Sequence, residues 1–595
     1  MSGSKKFFIR FLKWRYKHIS NKQFVYIASA IIGLLTGLAA VTIKNLTHFI
    51  QELLEGEFIR EIHNLFYFIF PVIGFLLVLL SIKYIVKKPV EGGIPSTLSA
   101  ISKLKGRMPR RQMWASLLTA PLTVGFGGSV GLEGPTVATG ASIGSNLSSL
   151  FHLNQTTRTL LIGAAAAGTL SSIFKAPIAA IVFAVEIFSL ELTLASMIPL
   201  LLASITAVLT SYFFFGDDVL LHFQVQDKFH LSDVTFFIFL GVASALVSIY
   251  FSKVYFGLGN FFKQFQNPYK RLLIGGLLLG IIVYFVPPLF GEGFVTINNV
   301  LRGNIQEVVT NNIFHAASEN IWVIIGLLVG LVLFKVVAMS FTIGAGGIGG
   351  VFAPTLFTGS VSGYVFAMII NYSNIFSHKL SSTNFAMVGM AGLMAGVLHA
   401  PLTAIFLIAE ITGGYELFVP LMIVSSISFL ITKQYVPHNI YAAELAKKGE
   451  LMTHDKDKNV LMMLDIDKVI ETNFVLLSPE MKLGEILKNA VAKSSRNHFP
   501  VVNENKEFLG IITLNDIRSI MFDSNLYDKV VVSDLMHGAS DIIYYGKDSA
   551  EEILNKFKSS GAWNLVVIKN GKYFGFISKS RLLTAYRRKL IQVTS

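Results

Sequence analysis

The sequence predicts a polytopic α-helical membrane protein of two related halves with broken helices, followed by a duplicated α/β domain of soluble character. Three observations predict it. Hydrophobic residues make up 53% and charged residues 14% of the 595, with a mean hydropathy of +0.60, whereas a soluble domain carries about 25% charged residues. Apolar blocks broken by Gly and Pro recur in the two halves of the first 440 or so residues. After about Lys447, mixed charge and short alternating strands replace the apolar runs.

Residues 1–22 are a basic N-terminus. Lys5, Lys6, Arg10, Lys13, Arg15 and Lys17 stand just ahead of the first apolar segment, where the positive-inside rule places the cytoplasm. That position reads the +14 net charge as a topology signal and argues against nucleic acid as a partner. The apolar stretch from about Phe24 to Ile43 is too long and too far in for a cleavable signal peptide. With no Cys in the chain, disulfides, thiolate metal sites and thiol nucleophiles are excluded.

Bilayer-length apolar stretches run from Phe24 to Ile43, Phe66 to Val86, Met197 to Phe215, Phe236 to Phe256, Leu272 to Phe290, Ile321 to Ser340 and Phe418 to Ile431. The stretches Trp114 to Leu150, Leu160 to Ser189, Gly350 to Ile370 and Phe385 to Thr412 read as too interrupted for simple spans. Broken helices survive at membrane depth only where protein or a watery cavity surrounds their freed backbone groups. The membrane region is expected over residues 23–446, with its repeats at about 23–215 and 233–436.

The broken pieces repeat. Gly131-Leu-Glu-Gly-Pro-Thr-Val-Ala-Thr-Gly140 lies over Gly350-Val-Phe-Ala-Pro-Thr-Leu-Phe-Thr-Gly359, and Ala176-Pro to Glu186 lies over Ala400-Pro to Glu410 without a gap. Three segments put glycine just ahead of a proline: Glu91-Gly-Gly-Ile-Pro95, Gly131 to Pro135 and Gly350 to Pro354. Proline suits the first helical turn, and glycine lets a backbone or a ligand approach. Each segment is thus a candidate helix N-terminus. Several such termini converging offer unpaired N–H groups and partial positive charge, an anion site mild enough for the ion to leave.

The internal symmetry sorts the intramembrane acids. Glu186 and Glu410 are twins in the repeat, which points to a shared structural role such as holding a helix end. Glu133 has no acidic twin, because its equivalent is Phe352. An intramembrane acid without such a twin is a functional suspect. Lys335, inside an apolar run, reads as paired or snorkelling.

The soluble part is itself duplicated. A linker is expected over 447–465, one half over 466–525 and the other over 526–595. Asn497-His-Phe-Pro-Val-Val with Phe508 to Asp516 parallels Trp563-Asn-Leu-Val-Val-Ile with Phe574 to Arg581, each reading strand, turn, strand, helix.

These residues, Gly131-Leu-Glu-Gly-Pro135, Gly350-Val-Phe-Ala-Pro354, Gly93-Ile-Pro95 and the late Tyr441 foremost, resemble the CLC family of chloride channels and proton/chloride exchangers with a C-terminal pair of CBS domains. The resemblance covers nearly the whole chain. It implies inverted repeats, a homodimer with one anion pathway per subunit, and transport of chloride and similar monovalent anions. The Leu132 and Glu133 amides would face an outer anion site. The Val351 and Phe352 amides, the Tyr441 hydroxyl and the stretch Gly92, Gly93 and Ile94 would line a central one. Glu133 would occupy an anion position until protonated or displaced. The setting would be an integral protein of the plasma (inner) membrane, with N-terminus and CBS pair cytoplasmic.

Three departures bear on mechanism. Gly92 stands where the family has its central serine, Leu132 replaces a basic residue, and Ile187 stands at the internal proton-relay glutamate of coupled exchangers. Ile187 cannot carry a proton, so channel-like conduction is expected, with proton-coupled antiport as the alternative. A more distant alternative is a CBS-regulated divalent-cation transporter, which would need carboxylate clusters facing its pore. No enzyme activity is expected, since the chain lacks the His-Glu-x-x-His pair of an intramembrane metalloprotease. No cofactor is required. In the CBS pair, Thr513 and Asp516 fit the family's ribose-holding segment, and Arg581 replaces the second acid. One adenine nucleotide per subunit, with Arg581 near its phosphates, is the expectation; a scaffold without ligand is the other reading.

Overall fold

The computed structural model of the chain describes residues 3–54, 63–90, 93–191, 193–216, 221, 229–310, 320–373, 379–413, 415–447, 457, 460–461 and 464–594. It comprises two compact units, Met1–Leu451 and Met452–Ser595.

The first unit is helical. Its first half holds α1 (Gly3–His18), α2 (Asn21–Leu54), α3 (His63–Leu80), α4 (Gly93–Ser102), α5 (Gln112–Gly125), α6 (Glu133–Leu150), α7 (Gln155–Phe174), α8 (Pro177–Phe188) and α9 (Leu194–Phe215). The second holds α10 (Val234–Lys263), α11 (Pro268–Phe285), α12 (Phe294–Leu301), the short α13 (Ile305–Thr310), α14 (Ile321–Gly344), α15 (Phe352–Ser373), α16 (Ser382–Leu398), α17 (Pro401–Ile411) and α18 (Phe418–Tyr435), with α19 (Ala443–Lys447) last. Eight helices among the described residues are long and apolar enough to cross a membrane.

The repeat seen in sequence is a repeat of packing. α7 packs against α6, α9 and α2, and its counterpart α16 packs against α15, α18 and α10. Asn154 caps α7 by accepting from the Thr157 amide, and Ser381 does the same for α16 with Asn384. Both helices end on a left-handed residue, Lys175 at φ 54° and His399 at φ 53°. Pro177 and Pro401 then start α8 and α17, where the missing N–H costs nothing.

One expectation needs correction. The stretch Gly350 to Ile370 is not interrupted: α15 is a single helix of 22 residues. Gly359 and Gly363 press against the Gly389 and Phe385 carbonyls of α16. They serve close helix packing, the use small residues have between membrane helices, rather than breaking the helix. The Leu272 to Phe290 span is also shorter than expected, since α11 ends at Phe285 before Pro287.

In the second unit, β1 (His498–Val502) pairs antiparallel with β2 (Phe508–Thr513), while β3 (Ile542–Tyr544) runs parallel to β4 (Asn564–Lys569), which pairs antiparallel with β5 (Lys572–Ser578). Helices α20 (Leu483–Ile486), α21 (Leu514–Ile517), α22 (Val532–Leu535), α23 (Ala550–Ser560) and α24 (Lys579–Thr594) complete it. Chain segments cross between its two cores. Val469 and Ile470 pack with Ile543, Phe557 and Leu565, whereas Leu526, Val530 and Val532 pack with Leu483, Phe499 and Ile512.

Candidate functional site

The three glycine-proline helix starts meet. α4 begins at Gly93, whose φ of 78° is left-handed, α6 at Glu133 and α15 at Phe352. Pro95, Pro135 and Pro354 are each the third residue of their helix. Ahead of α6 and α15 the chain forms a short antiparallel bridge: the Gly131 amide donates to the Gly350 carbonyl at 2.9 Å and the Gly350 amide to the Gly131 carbonyl at 2.7 Å. These two glycines are twins in the repeat, so the bridge joins equivalent points of the two halves. A Cβ on Gly350 would stand 2.9 Å from the Gly134 nitrogen, and one on Gly134 would lie 3.8 Å from the Gly93 Cα. Between Gly350 and Gly134 only glycine permits this approach.

Glu133 sits at the crossing and is 1% exposed. Its carboxylate folds back over Gly131 and touches the space beside Ala353. The Glu133 and Ala353 amides are its backbone neighbours, yet neither carboxylate oxygen closes a hydrogen bond of good geometry. The Tyr441 hydroxyl is likewise buried without a hydrogen-bond partner, in a residue 4% exposed, and lies within electrostatic reach of Glu133. Val351 and Phe352 are buried. As the first residue of α15, Phe352 has an amide with no intrahelical acceptor, and its ring packs 5.1 Å from that of Phe174.

A cavity of about 770 Å³ reaches this crossing, lined by Gly93, Ile94, Gly134, Val351 and Tyr441 among others. Lys83 and Arg271 also line it, among mostly apolar residues. A carboxylate, a hydroxyl and helix N-termini converging on one buried point can hold a small anion and exchange it for the side-chain carboxylate. Gly92 lies outside the described residues. Ile187 is buried in the last turn of α8.

The Leu132 amide was expected to face an outer anion. It instead donates at 2.9 Å to Oε1 of Glu292, a residue sequence reasoning passed over. The signal that could have found it is a further repeat match: Gly293, with φ 92°, stands just ahead of α12 as Gly93, with φ 78°, opens α4, which makes Glu292 the twin of Gly92. Lys335 does not snorkel. It is 0% exposed and donates to Ser129 Oγ at 2.9 Å and to the Gly291 carbonyl at 3.0 Å.

In the second unit Thr513 and Asp516 come together. The Thr513 amide and hydroxyl donate to Asp516 Oδ2 at 2.6 and 2.8 Å, and His537 Nε2 lies 3.2 Å from the same oxygen. Partial burial alone would raise the Asp516 carboxyl, but Thr513 and His537 outweigh it and hold the carboxyl below the usual carboxylate range. Arg581 is engaged elsewhere, with Glu471 at 3.2 Å, and Arg496 holds the same carboxylate at 2.6 Å.

Comparison with known proteins agrees with this architecture. The chain is 27% identical over 416 residues to the H(+)/Cl(-) exchange transporter ClcA of Vibrio cholerae, covering 67% of this chain and 84% of that protein. Its fold is similar to that of a slow cyanobacterial Cl−/H+ antiporter (TM-score 0.60, 22% identity, 71% of this chain and 97% of that one). It is also similar to a eukaryotic CLC transporter (TM-score 0.59, 16% identity, 94% and 97%), a likeness that extends over most of the second unit. A CBS domain model matches residues 466–523. The voltage gated chloride channel model matches residues 73–433, and the chain belongs to that family of membrane anion transporters.

Proposed function

We propose that this protein moves chloride across a membrane in exchange for protons, with Glu133 as the gate and with Tyr441 and the start of α15 holding the central anion. The observation that carries this reading is the buried Glu133 carboxylate, without a hydrogen-bond partner, at the meeting of three helix N-termini. An unpaired carboxylate in so dry a place is costly. Swinging out into the pathway, or taking a proton, relieves that cost, and either event frees the place for an anion. Relatives named as exchangers support proton coupling over the channel-like conduction that Ile187 suggests. Uncoupled conduction is the second reading, favoured by Ile187 and by a relative whose name includes the words chloride channel.

Reconstituted in liposomes under opposed chloride and pH gradients, an exchanger reverses away from the chloride equilibrium potential. Reversal at that potential would establish the second reading. The homodimer, the cytoplasmic placing of both termini and the plasma-membrane location that the family implies belong to the same proposal.

For the second unit we propose one adenine nucleotide per subunit, its ribose held by Asp516. Because Arg581 is paired with Glu471, a phosphate contact there would have to break that pair. Nucleotide titration of the parent and of Asp516→Ala tests this. Equal binding by both, or none by the parent, would leave the unit a scaffold.

A further inference from the structure

Glu292 forms no part of the central anion site, yet its carboxylate holds a helix-start amide of the kind that binds anions. The Leu132 amide, at the N-cap of α6, donates to Oε1 at 2.9 Å. A helix N-terminus aims both its free N–H groups and its partial positive charge at whatever sits there. Here the occupant is a side-chain carboxylate from the other half of the molecule, 160 residues away.

Two lysines come near this carboxylate. Lys335 on α14 is fully buried beneath the loop, bound to Ser129 Oγ and to the carbonyl of Gly291, the residue before Glu292. Its ammonium also lies 4.8 Å from the centre of the Phe357 ring. Lys44 on α2 lies within electrostatic reach of Glu292 from a second side. Glu133 on α6 is near enough to repel it. Two lysines thus stand near Glu292, and an anion arriving at the Leu132 amide would have to displace its carboxylate.

Glu292 is less buried over the whole residue than Glu133, and it lines a cavity of about 30 Å³, room for about one water, with Lys44, Leu132 and Thr136. Its place in the repeat matches that of Gly92, next to the glycine that precedes or opens the equivalent helix. In the second half that position of the repeat carries an acid.

We propose that Glu292 is a second, outer gate: a tethered anion that occupies the Leu132 amide, so that a transported anion gains that amide only when Glu292 leaves it. The inference rests on the reading of Glu133 as the gate. Occupancy by the tethered carboxylate lowers the apparent affinity for the free anion by the fraction of time the amide is held.

The experiment is chloride flux in liposomes, with half-saturating chloride measured from each face for the parent, Glu292→Gln, Glu292→Asp and Glu133→Gln. Glu292→Gln weakens the hold on the amide, because a neutral amide oxygen accepts less strongly than a carboxylate. Glu292→Asp keeps the charge but is one methylene too short to reach the Leu132 amide. Both are expected to lower half-saturating chloride, by roughly tenfold if the amide is held about nine-tenths of the time, and from one face only. Should Glu292→Gln not reconstitute, Glu292→Asp decides alone. Parent-like half-saturation in both variants overturns the proposal, and so does a lowered thermal midpoint without any shift in half-saturation, since that marks a purely structural contact. Failure of the underlying reading looks different: Glu133→Gln would then keep the parent's pH profile.

Discussion

Glu186 and Glu410 each hold the start of the helix on which the other stands. The Glu186 carboxylate, near the end of α8, accepts from the Leu402 and Thr403 amides of α17 at 3.0 and 2.8 Å. Glu410, near the end of α17, accepts from the Ile178 and Ala179 amides of α8 at 3.0 and 2.7 Å. Each acid thus meets the positive end of an antiparallel neighbour, the arrangement in which a carboxylate stabilises a helix most.

Replacing either acid by alanine leaves two helix-start amides without their side-chain acceptor. The expected cost is about 2–4 kcal/mol, read as a lower thermal midpoint in detergent, with chloride selectivity unchanged in the protein that remains folded. Either variant with the parent's midpoint would contradict the capping role.

Gly350→Ala places a methyl 2.9 Å from the Gly134 nitrogen. The methyl is fixed to its Cα and the nitrogen is backbone, so neither can rotate aside. The bridge to Gly131 should open and transport should fall at least tenfold, while Gly326→Ala on α14, where an added methyl meets open space, should fold and transport. Flux measured on the two variants side by side checks this.

Tyr441→Phe removes one hydroxyl and little else. If that hydroxyl donates to the central anion, the loss is about 1–2 kcal/mol, or roughly a five- to thirtyfold weaker chloride affinity by calorimetry. Unchanged affinity would remove Tyr441 from the site.

The second unit should lose stability in two steps as pH falls. Burial lowers His498 first of all, and His537 adds to this against Asp516, so the folded state favours the neutral ring. That contribution is complete above the ordinary histidine value of about 6.5 and erodes as pH drops below it. Asp516 is held low, so its contribution is present above the ordinary carboxylate value of about 4 and is lost as pH falls through its lowered folded value. Thermal unfolding of the full chain against pH should show both steps. His498→Asn should abolish the upper one and leave the lower.

Much of this was legible because it is repeated. The convergence of Gly93, Gly134 and Gly350, and the matched roles of Glu186 and Glu410, follow from residue types recurring at fixed spacing. What escaped depends on partners far apart in the chain. Nothing local in Phe-Gly-Glu-Gly-Phe announces that Glu292 will reach the Leu132 amide, or that Lys335 will be bonded rather than extended to an interface. Gly359 and Gly363 read as breaks, because sequence shows their lack of a side chain but not the α16 carbonyls that fill the space. In the second unit, alternation marks Val469 and Ile470 as apolar without saying that their partners are Phe557 and Leu565.

The central claim is that the Glu133 carboxylate closes the pathway as long as it remains charged. The measurement is chloride flux through Glu133→Gln in liposomes across pH 4 to 8, beside the parent. The account expects flux that is high and nearly level with pH, since glutamine mimics the protonated gate. A variant that keeps the parent's pH dependence would contradict it.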